Sequence, residues 1–268
     1  MKKKIHLSDN AKHFLRFLPN LLTICNSLCG FAAILWTLQA YKMSPLDDIR
    51  WVFCVSGIMI FSAMIFDAFD GFAARALNAA SVHGIQMDSL ADMVTFGVAP
   101  ATVVVIMTDT LKVGVMSPWQ IGIVYLLCCV YIGCAALRLA TYNVHAMSAD
   151  KKGDPSYFSG LPSPGAAAAI CVVVFFAHET HLSIEKFAFV LPVYAAILGL
   201  LMVSTVPYVH AGRWLFSVRK SKQKMLMLAI MIVIAIIFRT SGIMLMVTTY
   251  VVSGPIICFY RTLRRKNP

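Results

Sequence analysis

Four aspartates lie close together in a chain that has few acidic residues. The protein has 12 Asp and Glu residues among 268, and four of them fall within 26 consecutive positions: Asp67, Asp70, Asp88 and Asp92. The first two are three positions apart and the last two are four apart, so each pair would project from one face of a helix. A connection over about residues 77–87 would bring the two pairs together. The spacing therefore predicts a single carboxylate cluster.

Such a cluster is suited to binding divalent metal ions. Two like charges 4 Å apart repel each other by about 4 kcal/mol at an effective dielectric constant near 20. Carboxylate oxygens are the ligands that hard cations such as Mg²⁺ prefer, and bound metal would convert the repulsion into coordination. Four carboxylates could hold two metals, which commonly activate oxygen nucleophiles that attack phosphorus. The alternative is four separately solvated carboxylates at a helix–loop–helix turn.

The residues around the aspartates favour phosphate chemistry. Gly71 and Ala74 carry little side-chain bulk and would leave room for a ligand beside the cluster. Arg75 adds a planar cation that matches the geometry of phosphate. Ser81 and Gly84 lie in the connection and could let it approach a nucleotide. Carboxylates for metal, a cation for phosphate and small residues for access together indicate phosphoryl transfer.

The composition predicts an all-α polytopic membrane protein. Hydrophobic residues make up 59% and charged residues 13% of the chain, against about half and a quarter in soluble domains. This excludes a soluble enzyme, a disordered regulator and a fibrous protein. The net charge of +11 does not indicate nucleic acid, because the basic residues lie between the apolar runs. About eight membrane spans are predicted, near 18–41, 51–76, 89–108, 118–143, 164–180, 187–208, 225–241 and 243–260.

The distribution of basic residues sets the predicted orientation. With a cytoplasmic N-terminus and eight spans, 18 of the 23 Lys and Arg residues face the cytoplasm. The aspartate cluster then lies at the cytoplasmic face of the membrane, which we expect to be a bacterial inner membrane. The predicted segments are a cytoplasmic N-terminal segment 1–17, a six-span catalytic core 18–208, a basic cytoplasmic loop 209–224, two additional spans 225–260 and a basic cytoplasmic tail 261–268.

The aspartate segment resembles the motif of the CDP-alcohol phosphatidyltransferases. The family pattern D-x2-D-G-x2-A-R-x8-G-x3-D-x3-D is met at every fixed position, from Asp67 to Asp92. Four further stretches are similar to the family, the last three to its phosphatidylserine synthase branch: Pro19–Thr23, Asp88–Pro100, Arg138–Asn143 and Phe158–Pro164.

The resemblance implies a set of roles for the site. Asp67, Asp70 and Asp88 would hold one divalent cation, and Asp67, Asp88 and Asp92 would hold a second. Asp92 would also act as general base. Both cations would be Mg²⁺ or Mn²⁺. The residues implied to bind CDP-diacylglycerol are Asn20, Thr23, Gly71, Ala74, Arg75, Ser81 and Gly84. The implied reaction joins CDP-diacylglycerol and L-serine to give phosphatidylserine and CMP, in a homodimer embedded in membrane lipids.

The pocket for serine is predicted less directly. Its candidates are Arg138, Tyr142, Asn143, Gly160 and Pro162. The guanidinium of Arg138 could pair with the serine carboxylate or could be a cytoplasmic anchor of its span. The Tyr and Asn are either pocket residues or polar interface residues, and the Gly and Pro residues are also suited to shaping the loop before the next span.

Two alternatives stay open at the level of sequence. The same chemistry could use glycerol 3-phosphate or inositol phosphate, whose phosphate would call for additional cations. The inner loop 145–163 offers Lys151 and Lys152 but also Asp150 and Asp154, which weakly favours an acceptor without phosphate. A divalent-cation transporter is the other alternative. Its site would be expected near the middle of the membrane, and Arg75 would repel a passing cation.

Overall fold

The computed structural model describes residues 9–44, 46–77, 81–111, 116–147, 157–180, 190–209 and 222–266. Within these ranges the chain is almost entirely helical, which confirms the predicted all-α class. The helices are α1 (Asp9–Thr37), α2 (Leu46–Ala76), α3 (Val82–Asp92), α4 (Ala99–Thr110), α5 (Pro118–Met147), α6 (Ser163–Glu179), α7 (Val190–Val203) and α8 (Lys222–Lys266). A 3₁₀ turn (Leu38–Lys42) extends α1, and a π-helical segment (Met93–Val98) joins α3 to α4.

Among the described residues, five helical segments are long and apolar enough to cross a membrane, so the chain is an integral membrane protein. They are Phe17–Lys42, Asp48–Ala74, Val82–Thr110, Pro118–Val144 and Ile237–Tyr260, and two shorter apolar helices, α6 and α7, accompany them. The two predicted C-terminal spans both lie in α8, which is broken at Arg239 (φ 46°, ψ −127°). The count of eight spans stays a prediction.

Two predicted boundaries were wrong. The third span does not begin at residue 89, since the helix starts at Val82 and Asp88 lies inside it. The sixth does not continue to residue 208, because α7 ends at Val203 and Pro207–Val209 forms a strand, β2. Proline lacks the N–H that a helix hydrogen bond needs and restricts the residue before it, which disfavours a continuation of the helix at this point. β2 pairs antiparallel with β1 (Tyr157–Ser159).

Helix α1 positions the polar residues of the site, because it packs along α2 and against α3. A buried hydrogen bond joins α1 to α2, from Thr37 Oγ1 to Ser56 Oγ at 2.8 Å. About two turns before Thr37 in α1, Gly30 allows a close approach to the π-helical segment: a Cβ at this position would lie 2.8 Å from the Cα of Thr95. These contacts fix the position of α1 along its axis relative to α2 and to the π-helical segment.

The π-helical segment begins directly after Asp92. Its Thr95 donates a hydrogen bond to the backbone carbonyl of Asn26 in α1 at 3.1 Å. The wholly buried Tyr131 of α5 donates to the backbone carbonyl of Phe96 at 2.8 Å. π-helical turns are uncommon and are frequent at functional sites. Here the segment is tied to α1 on one side and to α5 on the other.

Candidate metal centre and acceptor pocket

Three of the four aspartates meet at one point between α2 and α3. Asp67, Asp70 and Asp88 each offer a carboxylate oxygen, and these three oxygens lie within 4.8 Å of one another. Asp70 is buried, and the other two are half-buried. The cluster predicted from the spacing is therefore present for these three residues.

The donor set fits a divalent cation. Within the described part of the chain, the buried Oδ1 of Asp88 has no hydrogen-bond partner. A buried carboxylate oxygen without a partner, beside two further carboxylates, is costly for the protein alone. A hard cation bound by oxygen ligands would compensate for both the repulsion and the missing hydrogen bond. The three residues could thus hold a metal.

The fourth aspartate is held differently. Among the described residues, Asp92 is not part of the group that meets within 4.8 Å. Its carboxylate is buried and accepts a hydrogen bond at Oδ1 from Nδ2 of Asn26, at 3.1 Å. It is still close enough to Asp67 and Asp88 to interact with them electrostatically. Asp92 therefore lies at the edge of the cluster of three carboxylates, and one of its oxygens is hydrogen-bonded to helix α1.

A second residue of α1 supports the cluster. Thr23 lies one turn before Asn26 and donates from Oγ1 to Oδ2 of Asp70 at 2.8 Å. Both α1 residues are buried. The two hydrogen bonds therefore let a single face of α1 orient one aspartate of α2 and one of α3.

The residues predicted to bind the nucleotide-lipid substrate lie on α2, at the start of α3 and on α1. Gly71 and Ala74 are half-buried on α2. Ser81 caps α3, because its Oγ accepts from the backbone N–H of Gly84 at 3.0 Å. Asn20 is near this cap, with its Oδ1 4.0 Å from the position that a Cβ on Gly84 would take. The backbone of Arg75 lies in α2, but its side chain is outside the described part of the structure.

Arg138, one of the predicted acceptor residues, interacts electrostatically with Asp92. It is half-buried on α5, and its guanidinium is close enough to Asp92 and to Tyr142 for electrostatic interaction. Its Nη1 also donates to the backbone carbonyl of Met202, at the end of α7, over 3.4 Å. Tyr142 is half-exposed.

The other acceptor candidates connect elements around the same place. Asn143 Oδ1 accepts from Ser89 Oγ at 2.8 Å, which joins α5 to α3 between Asp88 and Asp92. Gly160 has φ +82°, and a Cβ there would clash with the carbonyl of Met202, so only glycine fits. Pro162 precedes the first residue of α6. The last two residues therefore shape the loop.

Sequence reasoning missed three polar residues that support the site: Asn26, Ser89 and Thr95. The strongest available signal was the spacing in α1, where Asn26 follows Thr23 by three positions within an apolar run and shares its helix face. Ser89 lies between two predicted ligands. No sequence pattern indicated the role of Thr95, because that role depends on the π-helical segment.

Fold and site together define a helical membrane protein with a carboxylate centre at the junction of two spans. The family model for CDP-alcohol phosphatidyltransferase matches residues 16–203. The chain belongs to this family.

Relatives that share one protein name come from several organisms. A Bacillus subtilis protein named CDP-diacylglycerol–serine O-phosphatidyltransferase is 31% identical over 210 residues, covering 75% of this chain and 99% of the relative. A Mycobacterium tuberculosis protein of that name is 34% identical over 160 residues, covering 58% of this chain and 48% of the relative. A Helicobacter pylori protein of that name is 28% identical over 190 residues, covering 71% and 70%. The chain thus spans about half the length of the mycobacterial relative.

Proposed function

We propose that the protein transfers the phosphatidyl group of CDP-diacylglycerol to the hydroxyl of L-serine, giving phosphatidylserine and CMP. The observation that carries the proposal is the meeting of Asp67, Asp70 and Asp88, with Asp92 at the edge of the cluster and bound to Asn26. Membership of the family supports the donor and the reaction type. The names of the relatives support serine as the acceptor.

The proposed metal ligands follow from the same cluster. Asp67, Asp70 and Asp88 would hold one divalent cation, and Asp67, Asp88 and Asp92 would hold a second. When bound, Mg²⁺ or Mn²⁺ would neutralise the phosphate charge and lower the pKa of a nearby hydroxyl. Thr23 and Asn26 orient the carboxylates, so that the ligands are fixed before substrate arrives.

The proton of serine has a defined acceptor in this arrangement. The serine hydroxyl oxygen forms a bond to the phosphorus that bears diacylglycerol, and the bond from that phosphorus to the CMP oxygen breaks with its electron pair going to CMP. The hydroxyl proton passes to Asp92. Since Asn26 occupies Oδ1, the proton would go to Oδ2. The guanidinium of Arg138, close to Asp92, would receive the serine carboxylate.

We further propose that residues 18–208 form the catalytic core, in line with the family match over 16–203. The remaining segments would be the N-terminal segment 1–17, the loop 209–224, the additional spans 225–260 and the tail 261–268. The site would lie at the cytoplasmic face of a bacterial inner membrane, and the protein would act as a homodimer. Lys151 and Lys152, which bear on acceptors that carry phosphate, lie outside the described residues.

The reaction is tested with purified protein in detergent, supplied with CDP-diacylglycerol and Mg²⁺ or Mn²⁺. L-serine, glycerol 3-phosphate and inositol phosphate are added in separate reactions, CMP release is measured, and the lipid product is identified by mass spectrometry. We expect CMP and phosphatidylserine with L-serine only, and no CMP after EDTA treatment. Turnover with another alcohol instead would overturn the acceptor, and metal-independent turnover would overturn the role of the cluster.

A further inference from the structure

The C-terminal helix α8 lies beyond the part of the chain that matches the family, but it docks onto the catalytic core. Its second half packs against α6 and strand β2. Tyr208 of β2 is wholly buried and donates from its hydroxyl to the backbone carbonyl of Val251 at 2.8 Å. The same ring lies directly on α8 at Gly254, where a Cβ would come within 2.7 Å of Tyr208 Cε1. A glycine at this position is required for the contact.

This docking reaches the loop of the predicted acceptor pocket. Strand β2 pairs with β1, in the register Phe158 opposite Tyr208, and the chain continues from β1 into Gly160. The backbone N–H of Gly160 donates to the carbonyl of Val206 at 2.9 Å, and that of Leu161 to the carbonyl of Leu201 at 3.0 Å. The loop before α6 is therefore fixed to the segment that α8 holds in place.

One side chain of α8 points toward this pocket. Tyr250 lies one turn before Gly254 and is half-buried. Its ring centroid is 5.7 Å from that of Tyr208. On its other side, Tyr250 Cε1 lies 3.4 Å from the position of a Cβ on Gly165, in the first turn of α6. Tyr250 thus fills the space between the β ribbon and the start of α6.

Arg138 of α5 lies in the same region, because its Nη1 contacts the carbonyl of Met202, against which Gly160 also packs. It interacts electrostatically with Tyr250 as well as with Asp92. Its Nη1 donates to the backbone carbonyl of Met202 over 3.4 Å, which is long for a strong hydrogen bond. A flexible arginine side chain loses about 2 kcal/mol of rotamer entropy when it is fixed. A neighbouring aromatic ring that limits its conformations would lower that cost at the moment of binding.

We propose that Tyr250, supplied by the C-terminal helix outside the family-matching region, is a positioning residue that holds Arg138 in the orientation that receives the carboxylate of the acceptor. The inference rests on the proposed function, because it assumes an amino-acid acceptor. It gives α8 a part in acceptor selectivity, exerted through the contacts of Tyr208 and Tyr250. Asp92 of α3 interacts with Arg138, whereas the contacts of Tyr208 and Tyr250 given above join β2, α6 and α8.

The test is steady-state CMP release by the full-length protein at saturating CDP-diacylglycerol and varied L-serine. We expect Tyr250→Ala to raise KM for L-serine about tenfold, the factor for weakening one contact to a charged group. KM for CDP-diacylglycerol should stay within about twofold of wild type by the same argument. Tyr250→Phe keeps the ring packing and should show a smaller rise. Tyr260→Ala, on an exposed part of the same helix, is the matched control and should be unchanged.

Acceptor discrimination separates positioning from a merely structural role. L-serinamide lacks the carboxylate charge, so the preference of the enzyme for L-serine over L-serinamide should fall in Tyr250→Ala. An unchanged KM for L-serine in both Tyr250 variants would overturn the inference. Equal losses for L-serine, L-serinamide and CDP-diacylglycerol would also overturn it, because general misfolding would then be the cause. No serine-dependent turnover by the wild-type protein would instead overturn the proposed function, and this inference with it.

Discussion

The side-chain amide of Asn26 donates a 3.1 Å hydrogen bond to Oδ1 of Asp92, and Asn26 itself is wholly buried. Its backbone carbonyl accepts from Thr95, three residues beyond Asp92. Helix α1 is therefore bound to the aspartate and to the turn that follows it. This double connection fixes the carboxylate relative to the metal cluster, because neither the side chain nor the helix that carries it can rotate independently.

Removing the side-chain amide of Asn26 should reduce turnover but leave the cluster of Asp67, Asp70 and Asp88 in place. We expect Asn26→Ala to lower kcat about 10- to 100-fold, as is typical for residues that orient a ligand or base. KM for CDP-diacylglycerol should change little, because Asn26 is bound to the carboxylate. The measurement is steady-state CMP release with L-serine. Ser62→Ala is the control, since that hydroxyl donates to the carbonyl of Ile58 in its own helix, at 2.9 Å. Wild-type kcat in Asn26→Ala would contradict the orienting role.

Replacing the proposed base should have a larger effect than removing the residue that orients it. Asp92→Asn keeps the size of the side chain but cannot take a proton, so kcat should fall about 10²- to 10⁴-fold. The fold should persist, because the buried amide can still pair with Asn26. CMP release and the thermal unfolding midpoint in detergent are the two measurements. Full activity in this variant would assign proton transfer to another group.

Combining the two substitutions tests whether they act through one another. If Asn26 works through Asp92, adding Asn26→Ala to Asp92→Asn should cause little further loss of kcat. Independent roles would instead multiply the two losses. The double variant is assayed beside both single variants in the same detergent.

The hydrogen bond of Thr23 to Asp70 leads to a separate prediction for metal affinity. Its hydroxyl donates to Asp70 at 2.8 Å, and loss of such a partner typically weakens a metal site about 10- to 100-fold. Thr23→Val keeps the shape of the side chain and removes the hydrogen bond. We expect the Mn²⁺ concentration that gives half-maximal activity to rise, with activity largely recovered at high Mn²⁺. A loss that no Mn²⁺ concentration recovers would mean that Thr23 acts on substrate instead.

The meeting of three aspartates could be predicted from the sequence because their placement depends on local helix geometry. Asp67 and Asp70 share a face of α2 by spacing alone, and Asp88 follows a short connection. The hydrogen bonds from α1 could not be predicted in the same way. Asn26 and Asp92 are 66 positions apart, and their contact depends on how far α1 is displaced along α2 and α3. That displacement is set by packing at Gly30 and by the π-helical segment, neither of which leaves a periodic pattern.

The C-terminal part of the fold was predicted less well for a related reason. The apolar run before Tyr208 was interpreted as one span to residue 208, because hydropathy does not distinguish helix from a short buried strand. Pro207 was the available signal. The contact of Tyr208 with α8 joins distant parts of the chain and has no counterpart in the sequence pattern.

The close approach of α1 to the π-helical segment gives a prediction for stability. A methyl group at Gly30 would lie 2.8 Å from the Cα of Thr95, which is backbone and cannot rotate away. Gly30→Ala should therefore push α1 from the segment after Asp92 and destabilise the protein by about 1–3 kcal/mol, the usual cost of overpacking. Because α1 also carries Asn26, kcat should fall together with the unfolding midpoint.

Gly133→Ala is the matched control for that substitution. Gly133 lies in α5, and nothing stands within 4 Å of the position that its Cβ would take. The same change from Gly to Ala should there be neutral or slightly stabilising, since Ala is the better helix former. Thermal unfolding and CMP release are measured for both variants in one detergent. Equal unfolding midpoints for the two variants would mean that α1 can shift without cost. The position of Asn26 relative to Asp92 would then need another explanation.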